Sequence, residues 1–173
     1  RWARFKSRAG LERDYRRFRF RAHEEITTAQ KLLSPEQFSR YFKFAIVRNP
    51  WRRLVSEYEF LLRSPNHGRH RKVKELGGFE GFVEMQIPRR DAYQMNQLCD
   101  RDGNFLMDFV GRMECLGSDW KSICGRIGIP HQALPYKNFG VSRPYTEYYS
   151  PESRDLVAKH WAREIEQFGY DFG

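Results

Sequence analysis

Residues 42–60, FKFAIVRNPWRRLVSEYEF, set an apolar run against an arginine, an Asn-Pro step and an amphipathic segment. FKFAIV is continuous, partly β-branched and aromatic, and too short for a helix of its own, so it reads as a buried strand. Asn49 is a good N-cap and Pro50 a good first helical residue. Trp51, Leu54, Val55, Tyr58, Leu61 and Leu62 then recur at offsets 0, 3, 4, 7, 10 and 11, one face of an α-helix. This order leaves Arg48 between a strand end and a helix start. In open α/β sheets ligands gather at the carboxyl ends of the strands. A helix N-terminus favours an anion by roughly 0.3–1 kcal/mol at an exposed site, and an arginine fork adds charge-assisted bonds of about 1.5–3 kcal/mol. Arg48 and the unsatisfied N–H groups of the first helical turn are therefore expected to share a phosphate pocket. The competing reading pairs Arg48 with a surface carboxylate.

On the N-terminal side, EITTAQKLLSPEQFSRY predicts a helix and a turn, with Ser34-Pro35 as N-cap and first-turn pair. On the C-terminal side, SPNHGRHRK (64–72) predicts a loop, GFEGFVEMQ a short helix and DFVGRMECL (108–116) a second strand. Gly111 marks close backbone packing there, and Arg112 and Glu114 are candidates for a structural ion pair. Ser118 is placed to cap a helix through Ile127, LPYKNFGVSRPY is irregular, and Ser150-Pro151 opens a helix whose Val157, Trp161, Ile165 and Phe168 share a stripe. Strands separated by helices indicate an α/β layer fold with a parallel sheet.

At 173 residues the chain has a one-domain length, and 40% hydrophobic and 16% aromatic residues describe a folded protein, not a disordered one. No run of about 18 apolar residues occurs. The three cysteines, Cys99, Cys115 and Cys124, have no metal-ligand spacing, and their odd number argues against a disulfide framework. Reduced thiols and a cytoplasmic setting are favoured. Residues 1–22 hold nine Arg and Lys against Glu12 and Asp14, a local +7 out of the chain's +9. The organisation is thus a basic arm, 1–22, and a single α/β domain, 23–173. The arm is read either as a solvated leader or as an attractor of polyanions.

RNPWRRLVSEY resembles the 3′-phosphate-binding motif of the carbohydrate sulfotransferases: an Arg-Asp/Asn-Pro step, an aromatic, an Arg-Leu pair, then Ser and Tyr. The histidine before the strand, DFVGRMECLGSDW, YTEYYSPESRDLV and EIEQFGYDF resemble other segments of that family in the same order, so the likeness covers roughly residues 20–172. It implies a fold related to the P-loop nucleotide kinases, a parallel sheet flanked by helices, and the donor 3′-phosphoadenosine 5′-phosphosulfate (PAPS), with no metal. In such relatives the motif's Arg and Ser bind the donor's 3′-phosphate, which carries over to Arg48 and Ser56. The family places a donor-binding loop near KNFGVSRPY, which nominates Lys137, Ser142 and Arg143. The uronyl and heparan sulfate 2-O-sulfotransferases place a catalytic His at a similar distance before the motif, which nominates His23 as the base. The adjacent Glu24 and Glu25 are suited to orient it or raise its pKa.

The family's 5′-phosphosulfate loop, a Lys-containing Gly-rich turn, is not recognised. The nearest candidate is FKSRAG, with Lys6, Ser7 and Gly10, but no apolar strand leads into it. The expectation is that the loop and its strand lie upstream, leaving the strand at 42–47 short of a neighbour. The expected function is sulfuryl transfer from PAPS to a carbohydrate hydroxyl. The alternative is a non-catalytic basic domain that binds sulfated glycan or another polyanion. A kinase-like phosphotransferase would need a complete Walker loop and carboxylates for Mg²⁺. His67 and His70, among Arg69, Arg71 and Lys72, are too few ligands beside too many cations for zinc. They fit an acceptor surface for an anionic glycan or a solvated loop, while His131 and His160 read as structural. Nucleic acid is not expected as a partner. An upstream anchor would shift the expected location to the Golgi lumen.

Overall fold

The sheet begins where one lysine is held by one aspartate. In the computed structural model, which describes residues 24–134 and 143–173, Lys43 donates its backbone N–H and its ammonium to Asp108 Oδ2, at 2.7 and 2.8 Å. The Lys43 carbonyl in return accepts from the N–H groups of Asp108 and Phe109. β1 (Phe44–Val47) and β2 (Phe109–Arg112) then run parallel, with Phe44 opposite Phe109 and Val47 opposite Arg112. A parallel pair needs a long crossover, and here the connection is mainly helical, ending in an irregular stretch with an antiparallel bridge between Cys99 and Phe105.

Before β1 stand α1 (Ile26–Leu32) and α2 (Pro35–Arg40). Ser34 closes a capping box on α2 with Gln37 and places Pro35 in the first turn, as the Ser-Pro pair predicts. The crossover comprises α3 (Pro50–Arg63), α4 (His70–Glu75), α5 (Phe79–Gln86), a 3₁₀ turn at Arg90–Ala92 and α6 (Met95–Leu98). After β2 come a 3₁₀ turn at Met113–Cys115, α7 (Leu116–Ile127), another at Tyr145–Tyr148, α8 (Pro151–His160) and α9 (Ala162–Phe168). Trp51, Leu54, Val55 and Leu61 of α3 are buried against α5 and α8, where Phe82, Val83, Val157 and Trp161 complete the main core. A smaller cluster under β1 joins Val47 to Met95, Leu98 and Phe168. Among the described residues no helix is long and apolar enough to cross a membrane.

Four expectations are corrected. Residues 64–72 are not all loop: the segment ends in α4, docked by Val73, which is 1% exposed. A single buried apolar residue leaves no periodicity to read. The second strand stops at Arg112 and does not run to 116, because Asp119 Oδ2 takes the Arg112 N–H at 2.6 Å and ends the ladder. Ser118 lies inside α7 and does not cap it; its hydroxyl donates to the Cys115 carbonyl. The last helix is broken at Trp161, whose indole N–H donates to Ala92 O at 3.1 Å. Gly111 does mark a close approach: a Cβ there would lie 2.7 Å from Ile46 Cδ1 and 2.9 Å from Asp119 Cβ. Cys99, Cys115 and Cys124 are free thiols, the first and last of them buried.

Candidate functional site

Arg48 is the first residue past β1, and its backbone is fixed from two sides. Its N–H donates to Gln94 Oε1 and its C=O accepts from Gln94 Nε2, both at 2.9 Å. The next N–H, that of Asn49, donates to Glu114 Oε1 at 3.0 Å, and Glu114 Oε2 accepts the Tyr170 hydroxyl. Glu114 is therefore used by Asn49 and Tyr170, and Arg112 stacks over the Tyr170 ring at 5.3 Å; the expected Arg112–Glu114 ion pair does not form. The Arg48 side chain is partly buried, and among the described residues its guanidinium has no hydrogen bond or ion pair. Burial lowers its pKa, the charge of Arg52 lowers it further and Glu114 works against both. The guanidinium stays cationic, so it is a partly desolvated positive charge that, among the described residues, feels the Glu114 carboxylate but makes no ion pair or hydrogen bond.

The head of α3 is less open than the sequence suggests. Asn49 Oδ1 accepts from the N–H groups of Trp51 and Arg52, at 3.0 and 3.4 Å, Pro50 has none, and Arg53 N–H bonds the Asn49 carbonyl. The expected free first-turn N–H groups are thus already satisfied, because the N-cap side chain that starts the helix also occupies them. An anion at this point is left to side chains and the helix dipole. Arg52 and Ser56 stand one turn apart, and Arg52 stacks over Tyr145 at 4.7 Å. The Ser56 hydroxyl has no partner among the described residues. On the same face Glu59 accepts the Tyr148 hydroxyl at 2.8 Å, and Arg143 sits 3.9 Å over the Tyr148 ring. The 3₁₀ turn at Tyr145–Tyr148 therefore brings Arg143 to the helix face that carries Arg52 and Ser56.

His23, Lys137 and Ser142 lie outside the described residues. Close to the first of them in sequence, Glu25 accepts from Arg90 at 3.1 Å and from Thr27. These three residues, with Lys31 and Arg101, line a cavity of about 410 Å³. Lys31 and Arg101 have no ion pair among the described residues. The histidines of the 64–72 segment are held locally. His67 Nδ1 accepts the Arg69 N–H, His70 Nδ1 donates to Leu61 O at 2.8 Å, and Arg69 pairs with Glu57 at 2.7 Å. Among the described residues no group of three His, Cys, Asp or Glu side chains could hold a metal ion.

Sequence reasoning missed Gln94, Glu164 and the use made of Arg53. Glu164 is 1% exposed; its Oε2 accepts from Gln94 Nε2 at 2.9 Å and its Oε1 from the Met95 N–H at 3.2 Å. Burial pushes its carboxyl up, against those bonds and the Arg53 charge. Arg53 itself donates to the carbonyls of Asp91 and Ala92, in the turn just before Gln94. Nothing in the local pattern DAYQMNQLCD announces this, since every partner is distant in sequence.

No match was found among curated proteins or among solved structures. The model of the sulfotransferase family matches residues 6–171, reaching further toward the N-terminus than the motifs around Arg48 alone suggest and taking in Lys6, Ser7 and Gly10. A match over that much of the chain makes it a member of the sulfotransferase family, enzymes that transfer sulfuryl groups.

Proposed function

We propose that the protein transfers a sulfuryl group from PAPS to a hydroxyl of a carbohydrate, with Arg48 and Ser56 binding the donor's 3′-phosphate. The observation that carries this reading is the half-buried Arg48 guanidinium at the end of a parallel strand, unpaired among the described residues. A desolvated charge without a partner is costly, and a phosphate dianion relieves that cost. Arg52, the Ser56 hydroxyl, which has no partner among the described residues, and Arg143 along one face of α3 supply further donors to the same anion.

In this reading the acceptor hydroxyl attacks the sulfur in line, the sulfuryl group moves to the acceptor oxygen and 3′-phosphoadenosine 5′-phosphate (PAP) leaves. His23 accepts the hydroxyl proton, a role suited to an imidazole near neutral pH. The architecture in this reading is nucleotide-kinase-like and a Lys-containing Gly-rich turn holds the 5′-phosphosulfate; the expectation that this turn lies upstream stands beside the FKSRAG candidate, whose Lys6, Ser7 and Gly10 fall inside the residues matched. In the cavity beside the Arg90–Glu25 pair, Lys31 and Arg101, without an ion pair among the described residues, favour an acceptor that carries carboxylate or sulfate groups.

The same excess of cations also suits a basic domain that binds polyanions without catalysis. Calorimetric titration with PAP and with adenosine 5′-phosphate (AMP) separates the two. The enzyme reading expects PAP to bind at least about tenfold tighter than AMP, and Arg48→Ala to erase the difference while leaving heparin affinity intact. A wild-type protein that does not distinguish PAP from AMP, and whose only anion affinity falls steeply with salt, would favour the polyanion domain.

A further inference from the structure

One amide side chain satisfies both backbone groups of the residue proposed to read the phosphate. Gln94 takes the Arg48 N–H and returns a donor to the Arg48 C=O, each at 2.9 Å, as a neighbouring strand would. The β1–β2 ladder ends at Val47 opposite Arg112, so Gln94 extends it by one residue on the strand that needs it. The amide cannot flip to serve only one group, because its Nε2 also donates to Glu164 Oε2 and Glu164 is anchored by the Met95 N–H. The turn that presents Gln94 is tied by Arg53 to the carbonyls of Asp91 and Ala92, and by the Trp161 indole to Ala92 again. Arg53 and Arg48 belong to the same short motif, which therefore closes on itself through a turn some forty residues away.

We propose that Gln94, oriented by Glu164 and by the Arg53-held turn, is a positioning residue that sets the direction of the Arg48 guanidinium and so the enzyme's discrimination for a 3′-phosphorylated nucleotide. The inference rests on the assignment of Arg48 to the donor phosphate. A pinned backbone on both sides of Arg48, Gln94 at one peptide and Glu114 at the next, fixes the Cα–Cβ direction from which the fork starts. Less conformational freedom is then lost when the anion binds. Hydrogen bonds spent merely on stability would not need to converge on this one residue.

The test is the affinity ratio of PAP to AMP in the full chain, by calorimetry, for the wild type, Gln94→Met, Gln94→Leu, Arg48→Ala and the Arg48→Ala/Gln94→Met pair. Gln94→Met keeps the length and apolar volume and removes both bonds to Arg48, together with the one to Glu164. It is expected to lower PAP affinity about tenfold and leave AMP affinity within about twofold. In the Arg48→Ala background it is expected to change PAP affinity no further, because Gln94 acts only through Arg48. Equal loss for both nucleotides, or an effect that persists without Arg48, overturns the proposal and makes Gln94 a structural residue. An unchanged ratio in Gln94→Met and Gln94→Leu, with the ratio lost in Arg48→Ala, overturns the positioning role alone. An unchanged ratio in Arg48→Ala overturns the phosphate assignment and the positioning role together. Should the Gln94 variants lose their folding transition, Glu164→Gln replaces them: it loosens the same amide from its far side and is expected to reduce the ratio about threefold, with no reduction counting against the proposal.

Discussion

At the scale of single residues, the side chain of Arg48 can be separated from its charge. A guanidinium presents two parallel donors to a phosphate, and an ammonium is a point charge on a flexible stem. Arg48→Lys is therefore expected to weaken PAP binding by about tenfold although the formal charge is kept. Ser56→Ala removes one neutral hydroxyl that has no partner among the described residues, so it is expected to cost about 1 kcal/mol of PAP affinity and nothing measurable in stability. Calorimetry beside a denaturant titration checks both, and loss of stability in Ser56→Ala would mean that the hydroxyl serves the fold. Arg48 and Ser56 could be nominated from the sequence because a motif fixes their spacing on one short stretch. Gln94 was not, since its role depends on a contact made across 46 positions. The free N–H groups expected at the helix head failed for the opposite reason: the Asn49 that announced the helix start also consumes them.

At the scale of elements, the two-strand sheet is held at its start by charge and in its middle by lack of space. For Asp108, burial pushes the carboxyl up, but the hydrogen bonds and charge of Lys43 and the charge of Arg126 outweigh it and hold the pKa below the usual carboxylate value. A lowered folded-state pKa gives stability that is present above the unfolded value of about 3.9 and is lost as pH falls through the folded value. Asp108→Asn removes that contribution. Between about pH 4 and 2 the wild type should lose more stability than the variant, and urea midpoints that fall in parallel would contradict the assignment. Gly111→Ala places a methyl against Ile46 Cδ1 and Asp119 Cβ, and is expected to destabilise by about 1–3 kcal/mol. The elements read correctly from sequence, β1, α3 and α5, carry either a continuous apolar run or a full helical stripe. The miscast ones, α4 and the tail of β2, are decided by one buried Val73 and one carboxylate, Asp119. Composition and periodicity do not register such single tertiary contacts.

At the scale of the whole molecule, the chain's last residues are stitched back onto the head of α3. The Asp171 carbonyl accepts from Asn49 Nδ2 at 2.8 Å, so the N-cap residue is held by the C-terminal segment as well as by its own helix. One residue on, the Phe172 ring meets Trp51, Tyr145 and Tyr149 edge to face, with centroids 5.4–5.7 Å apart, and Arg154 lies over it. These partners come from α3, the 3₁₀ turn and α8, so a single ring joins α3 to two elements almost a hundred residues further along the chain. Tyr145 is also the ring under Arg52, which links this packing to the cation next to Arg48. Phe172 is only partly buried, so Phe172→Ala is expected to cost less than a full core truncation, about 2 kcal/mol. Loss of the ring should also loosen Tyr145, and with it Arg52, so PAP affinity should fall about threefold at temperatures where the variant is still fully folded. A lowered unfolding midpoint with unchanged PAP affinity would confine Phe172 to stability, and an unchanged midpoint would mean that the C-terminal segment does not hold the three elements together.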